Sequence, residues 1–174
     1  MTAMKIINLL ILSIILAISL FAQEAQLPPP PDVVAAPFYL DNTAHELKKL
    51  PKEPYKEHKG APAVSFTNAF IVSAQVQGGA SELRIPSQDK IVFVFDATTV
   101  PRLYKFAQSG KKREFAYQKG NQRNSTPIPG LPITVSKYKG GSAYQFSADD
   151  RLSAGEYGIV LGDSIYTFGV DEKK

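Results

Sequence analysis

From Ala63 onward the chain is built of short apolar runs separated by turn residues. Within the runs, apolar and polar positions alternate. Tyr157, Ile159 and Leu161 fall on one face of a strand, and Tyr166, Phe168 and Val170 on one face of another; Tyr144 is in phase with Phe146. A period of two predicts sheets with one wet side. On that reading Glu156 faces solvent beside Tyr157. Ile91–Phe95 is apolar at every position, which predicts a central strand covered on both faces. The predicted strands are Val64–Val76, broken near Asn68, then Glu82–Ile85, Lys90–Phe95, Leu103–Ala107, Glu114–Gln118, Ile133–Tyr138, Ala143–Phe146, Glu156–Leu161 and Ser164–Val170. Many short strands at this spacing indicate a sandwich or barrel.

Turn chemistry joins several of them. Gly140-Gly141, Gly162-Asp163 and Ser109-Gly110-Lys111 each place glycine where a tight hairpin needs positive φ. The last of these is expected to close Leu103–Ala107 onto Glu114–Gln118. Upstream, Val33–Leu40 reads as a strand, and Ala44–Lys49 as a helical turn or the second arm of a hairpin. Lys48–Gly60, polar and carrying Pro51 and Pro54, reads as a surface loop.

The N-terminus follows a different pattern. Lys5 precedes an apolar run, Ile6–Phe21, that ends at Ala22 before polar Gln23-Glu24. A positive start, an apolar segment and a small-residue end predict a secretory signal peptide over residues 1–22. The run is short for a membrane span, which wants about 20 apolar residues. With no cysteine in the chain, lipid attachment at a cysteine after the run is excluded. Residues 23–32 contain four consecutive prolines, Pro28 to Pro31, which favour an extended polyproline spacer over the alternative, a polyproline recognition ligand. Residues 33–174 are then a single β-domain. No second long apolar stretch follows, so no transmembrane helix is expected after cleavage.

Composition narrows the chemistry. The formal charge of +4 becomes +3 when Lys5 leaves with the leader. That mild basicity favours anionic surfaces without naming one. The absence of cysteine removes disulfides and thiol catalysis. The absence of tryptophan leaves Phe and Tyr as the large core residues. His45-Glu46 begins like a His-Glu-x-x-His zinc motif, but Lys49 stands where the second histidine belongs. His58, Glu57 and Glu46 lack further ligands. No serine lies in Gly-x-Ser-x-Gly. Asp149-Asp150 are adjacent, and side chains adjacent on a strand or turn diverge; they read as a turn before Leu152. Asn124-Ser125-Thr126-Pro127 matches the glycosylation acceptor pattern, but a motif this short arises often by chance and no glycan is assigned to it. No metal, cofactor or catalytic residue is assigned.

The densest polar cluster is basic: Arg102, Lys105, Lys111, Lys112, Arg113, Lys119 and Arg123, interleaved with Tyr104, Phe106, Phe115 and Tyr117. If Lys105 and Arg113 lie on the wet face, the hairpin carries a positive patch fit for an anionic glycan, a lipid head group or an acidic envelope protein. Charged edges also protect exposed strands from pairing with other chains, and the cluster fits that role as well. Nucleic acid is not expected for an exported chain.

Arg151-Leu152-Ser153-Ala154-Gly155-Glu156-Tyr157 resembles the tyrosine-corner segment of immunoglobulin-like and fibronectin-type modules, with Leu152, Gly155 and Tyr157 at the characteristic positions. The looser likeness, from Phe38 to Val170, is to secreted bacterial β-sandwich domains. The resemblance implies an antiparallel immunoglobulin-like β-sandwich in which the tyrosine hydroxyl bonds backbone just upstream. The cysteine pair and tryptophan of antibody domains are absent, and no activity is implied. The expectation is an all-β, exported, non-enzymatic binding or envelope-associated module, whether periplasmic, outer-membrane-associated or extracellular. The alternatives are a small hydrolase of envelope carbohydrate and a structural subunit assembling by strand addition. The oligomeric state is left open.

Overall fold

The computed structural model describes residues 28–29, 36–60, 69–96, 99–121, 124–139 and 141–172. The expected leader, most of the spacer and the start of the first predicted strand lie outside them. The described chain is all-β: fifteen strands in three sheets, antiparallel except for one pair. Among the described residues, no helix is long and apolar enough to cross a membrane.

The first sheet holds β1 (Phe38–Asp41), β2 (Glu46–Lys49), β7 (Val92–Phe95), β12 (Ile133–Lys137) and β13 (Tyr144–Ala148), in the order β12-β13-β7-β1-β2. Ala44–Lys49 thus resolves as a hairpin arm. The connection Asp41–Glu46 belongs to a separate compact unit. Within it, the N–H groups of Thr43 and Ala44 donate to Asp41 Oδ1 at 3.0 and 3.1 Å.

The middle sheet holds β3 (Lys52–Glu53), β8 (Arg102–Lys105), β14 (Gly155–Leu161) and β15 (Ser164–Val170), in the order β3-β15-β14-β8, with β6 (Arg84–Ile85) parallel to β15. Leu161 and Ser164 pair across Gly162-Asp163, and Gly162 takes φ +59° as the hairpin requires.

The third sheet holds β4 (Tyr55–Gly60), β5 (Phe70–Gln77), β9 (Ala107–Ser109), β10 (Lys112–Gly120) and β11 (Ser125–Pro127), in the order β11-β10-β5-β4, with β9 on β10. Lys48–Gly60 is therefore not a loop. Pro51 and Pro54 bracket strands instead of interrupting them. β4 needs a partner on one side only, and its charged residues Lys56, Glu57, His58 and Lys59 stand on a sheet edge, where charge discourages pairing with other chains.

The expected strand Leu103–Ala107 is two strands. β8 pairs with β14 in the middle sheet, whereas β9 turns through Gly110 (φ +58°) onto β10 in the third. The chain crosses from sheet to sheet at Phe106, a buried ring between the two.

The middle sheet is covered on both faces, which corrects the expected wet side. One face carries Leu103, Tyr157, Ile159, Tyr166, Phe168 and Val170 against Tyr39, Phe93, Phe95 and Phe146 of the first sheet. The other carries Tyr104, Val160 and Ile165 against Ala74, Val76 and Phe115 of the third. The intervening positions that read as polar are small or paired. A Cβ on Gly158 would sit 3.0 Å from the Phe106 ring, so glycine there admits the ring. Glu156 is buried, not solvent-facing. In β7 the expected double burial is observed: Phe93 and Val94, on opposite faces, are both inaccessible. Where β14 begins, the Tyr157 hydroxyl donates to the Ser153 carbonyl at 2.8 Å.

Candidate functional site

Two polar features lie in the layer between the middle and third sheets, and they differ in one respect: the first is closed and the second is open. The inner face of β10 presents Arg113, Phe115 and Tyr117 in succession, and the register against β5 shifts between Ala116 and Gln118. Arg113 belongs to the closed feature and Tyr117 to the open one.

Arg113 is 1 % exposed. Its Nε donates to the Gly78 carbonyl at 3.0 Å, and Nη2 donates to Glu53 Oε2 at 2.6 Å and to the Gln77 carbonyl at 3.3 Å. Nη1 donates to Ser81 Oγ and lies 3.4 Å from Glu156 Oε2. Glu156 Oε2 also accepts from the Ser81 N–H and hydroxyl, at 2.7 and 2.6 Å. Glu156 Oε1 accepts from Arg84, which holds Asp171 with Nε and Nη2 at 2.9 and 2.6 Å. Those bonds and the two carboxylates hold Arg84 above its usual pKa, against a burial effect that is the largest single contribution and acts to lower it. Thr167 donates to Glu53. Every buried side-chain nitrogen and oxygen among the described residues has a partner. A buried charge without partners costs several kcal/mol, so complete pairing is what lets this cluster exist. It ties two sheets together, and the side chains of Arg113 and Glu156 at its centre are fully engaged.

The open feature is a cleft of about 140 Å3. The third sheet contributes Tyr55, Glu57, Ala74, Phe115 and Tyr117; the middle sheet contributes Arg102, Tyr104, Val160 and Ile165, with Gly162 and Asp163 of the turn at the rim. Tyr104 and Phe115 stack at 4.5 Å between ring centroids, and the Tyr104 hydroxyl donates to the Ile128 carbonyl at 3.1 Å. These rings are fixed in place. Tyr55 and Tyr117 are half-buried and Arg102 and Asp163 exposed. Neither Arg102 nor Asp163 has an ion pair or side-chain hydrogen bond among the described residues.

Tyr117 donates to Glu57 Oε1. Burial first, then the bond to Glu57, raises the Tyr117 phenol well above its ordinary pKa. The sign follows directly. The unfolded chain releases this proton near the free-tyrosine value of about 10, whereas the folded chain retains it. The stabilisation is complete below that pH and is lost as pH rises through and beyond it. Burial raises Tyr138 in the same direction. Denaturant titrations from pH 9 to 11 are expected to show stability falling with pH, and less steeply in Tyr117→Phe; equal slopes would refute the assignment.

The predicted basic residues do not assemble into one patch. Lys111 and Lys112 are exposed together at the β9–β10 turn. Lys119 is exposed at the other end of β10, roughly 20 Å away at about 3.4 Å per residue, which exceeds the Debye length of about 8 Å at physiological salt. Arg102 and Lys105 sit on opposite faces of β8: Arg102 lines the cleft, whereas Lys105 donates to Ser153 Oγ at 2.7 Å and lies over the Tyr157 ring. Lys105 is exposed although its sheet has no wet face, and Arg113 is buried. Arg123 lies outside the described residues. Asp149 accepts from Thr134 Oγ1 at 2.7 Å. Among the described residues no three His, Asp or Glu side chains gather as metal ligands.

Sequence reasoning missed Glu53, Arg84 and Asp163, and misplaced Arg113 and Glu156. A signal was present for Arg113: it is in phase with Phe115, two residues on, and so shares its inward face. Comparison with protein-family models, with curated proteins and with solved structures found no match.

Proposed function

We propose that the chain is an exported, non-enzymatic binding module, envelope-associated in a bacterium, that contacts a glycan or a protein through the cleft between its middle and third sheets. The observation that carries this reading is the contrast in pairing. Among the described residues the interior charges are fully partnered, whereas Arg102 and Asp163 line a recess beside half-buried tyrosine rings and hold no side-chain partner. Recesses with apolar walls and a few convergent polar groups are the usual form of a recognition site. The leader pattern over residues 1–22 supports export. The Tyr157 bond to the carbonyl four residues upstream supports an immunoglobulin-like core. An anionic ligand would draw on Lys111 and Lys112.

The test is binding of the mature chain to envelope extract separated into glycan and protein fractions, at low and high salt. Arg102→Ala and Asp163→Asn are expected to reduce binding at both salts. Lys111→Glu/Lys112→Glu is expected to change only the salt dependence. Undiminished binding by both cleft variants would refute the cleft as the contact site.

A hydrolase reading draws on one observation: two carboxylates, Glu57 and Asp163, line the same cleft, as acid–base cleavage of a glycosidic bond requires. Release of reducing sugar from envelope glycan that disappears in both Glu57→Gln and Asp163→Asn would establish it.

A further inference from the structure

We infer that the cleft takes a single neutral sugar ring, the terminal residue of a glycan. The inference rests on the binding-module reading and names its ligand. The groups that face the space select it. Arg102 offers only donors, and Asp163 only acceptor oxygens. Glu57 has one oxygen engaged by Tyr117 and a second remaining. A sugar hydroxyl donates and accepts at once, so neighbouring hydroxyls on one ring satisfy a guanidinium and a carboxylate together.

Charge argues against the simpler alternatives. Glu57, Asp163 and Arg102 sum to −1, so an anion such as phosphate meets two carboxylates for one guanidinium, and a bare cation meets the guanidinium. A purely apolar ligand would strip water from Arg102 and Asp163 without replacing it.

Shape agrees with chemistry. Tyr55 and Tyr117 line the wall half-buried, Tyr117 tilted 58° against the Phe115 ring at 6.3 Å between centroids, and they supply the aromatic surface on which the C–H groups of a pyranose would pack. Sites for drug-sized ligands occupy about 300–1,000 Å3. A cleft of about 140 Å3 is below that range, as suits one ring with the rest of the glycan in solvent. Tyr117 does two things: its ring forms wall, and its hydroxyl fixes the carboxylate that reads the ligand.

The test is a titration of the full mature chain, followed by backbone amide NMR, with neutral monosaccharides (glucose, galactose, mannose, N-acetylglucosamine) and, separately, with alanine, glucuronate and inorganic phosphate. At least one neutral sugar is expected to bind with a Kd of about 1 mM and to shift the amides of Arg102, Tyr117 and the Gly162-Asp163 turn. Arg102→Ala and Asp163→Asn are each expected to weaken it about tenfold or more, while Lys137→Glu, remote on β12, leaves it unchanged. Stronger binding by alanine, glucuronate or phosphate, or no shift with any neutral sugar at tens of millimolar, overturns the inference. If the sugars fail while Arg102→Ala and Asp163→Asn still abolish envelope binding, only the ligand is wrong; if those variants leave envelope binding intact, the binding-module reading has failed.

Discussion

Replacing Arg113 with Met is expected to destabilise the fold by about 3–5 kcal/mol, because it removes one partner of a buried ionic cluster and leaves the others in place. Glu53 loses its guanidinium contact, and Glu156 keeps only Arg84 and Ser81. The carbonyls of Gly78 and Gln77 lose their donor in the same step. Since domains of this size are typically stable by about 5–15 kcal/mol, the variant should have a sharply lower denaturation midpoint. Arg113→Lys keeps the charge but not the planar fork, and should fall between the two. The replacement Glu53→Leu/Arg113→Met/Glu156→Met removes Arg113 with both of its carboxylates, leaves Arg84 paired with Asp171, and is expected to recover part of the loss, since an apolar substitute for a buried ion triad is often tolerated. Urea titration checks all three. A loss below about 1 kcal/mol for Arg113→Met, the value of an ordinary surface pair, would show that the cluster is solvated and does not hold the sheets together.

That cluster also marks the limit of what alternation reveals. Strand positions were legible because apolar side chains recur every second residue, and the hairpin turn at Gly162-Asp163 because only glycine takes its backbone without strain. The number of layers was not. A strand facing solvent on one side and a strand facing a second sheet through glycines and paired charges give similar sequences. In β14, Glu156 and Gly158 read as a wet face, yet Glu156 reaches Arg113 and Gly158 makes room for Phe106. The partners of Glu156 are distant in sequence, 43 residues from Arg113 and 72 from Arg84, so no local pattern displays them. The cleft was hidden for the same reason. Arg102 was singled out as a member of a basic run, but the cleft it lines brings it together with Tyr117 of the third sheet and Asp163 of the turn after β14. β4 was missed because a charged edge strand looks like a loop.

Phe93→Ala should cost about 3–5 kcal/mol as well, by a different route. Phe93 is fully buried in β7, with the rings of Phe146 and Phe168 at 5.1 and 4.8 Å between centroids and Tyr39 at 6.4 Å. Truncation leaves a cavity between the first and middle sheets that strands held on both sides cannot close. Phe93→Leu keeps most of the volume and should cost less. Phe115→Ala makes the corresponding hole on the other side of the middle sheet, where Tyr104 and Phe106 pack on the ring. It opens into the cleft, so water can enter, and its cost should be smaller. The two variants together test whether the layers fold as one. β14 and β15 contribute side chains to both cores: Ile159 and Phe168 to one, Val160 and Ile165 to the other. Because neither core can open without exposing a face of those strands, both variants should lower a single unfolding transition, with circular dichroism and tyrosine emission coinciding. If Phe115→Ala instead yields two transitions, with the third sheet melting first, the middle sheet does not couple the cores, and the cleft lies between two bodies that open independently.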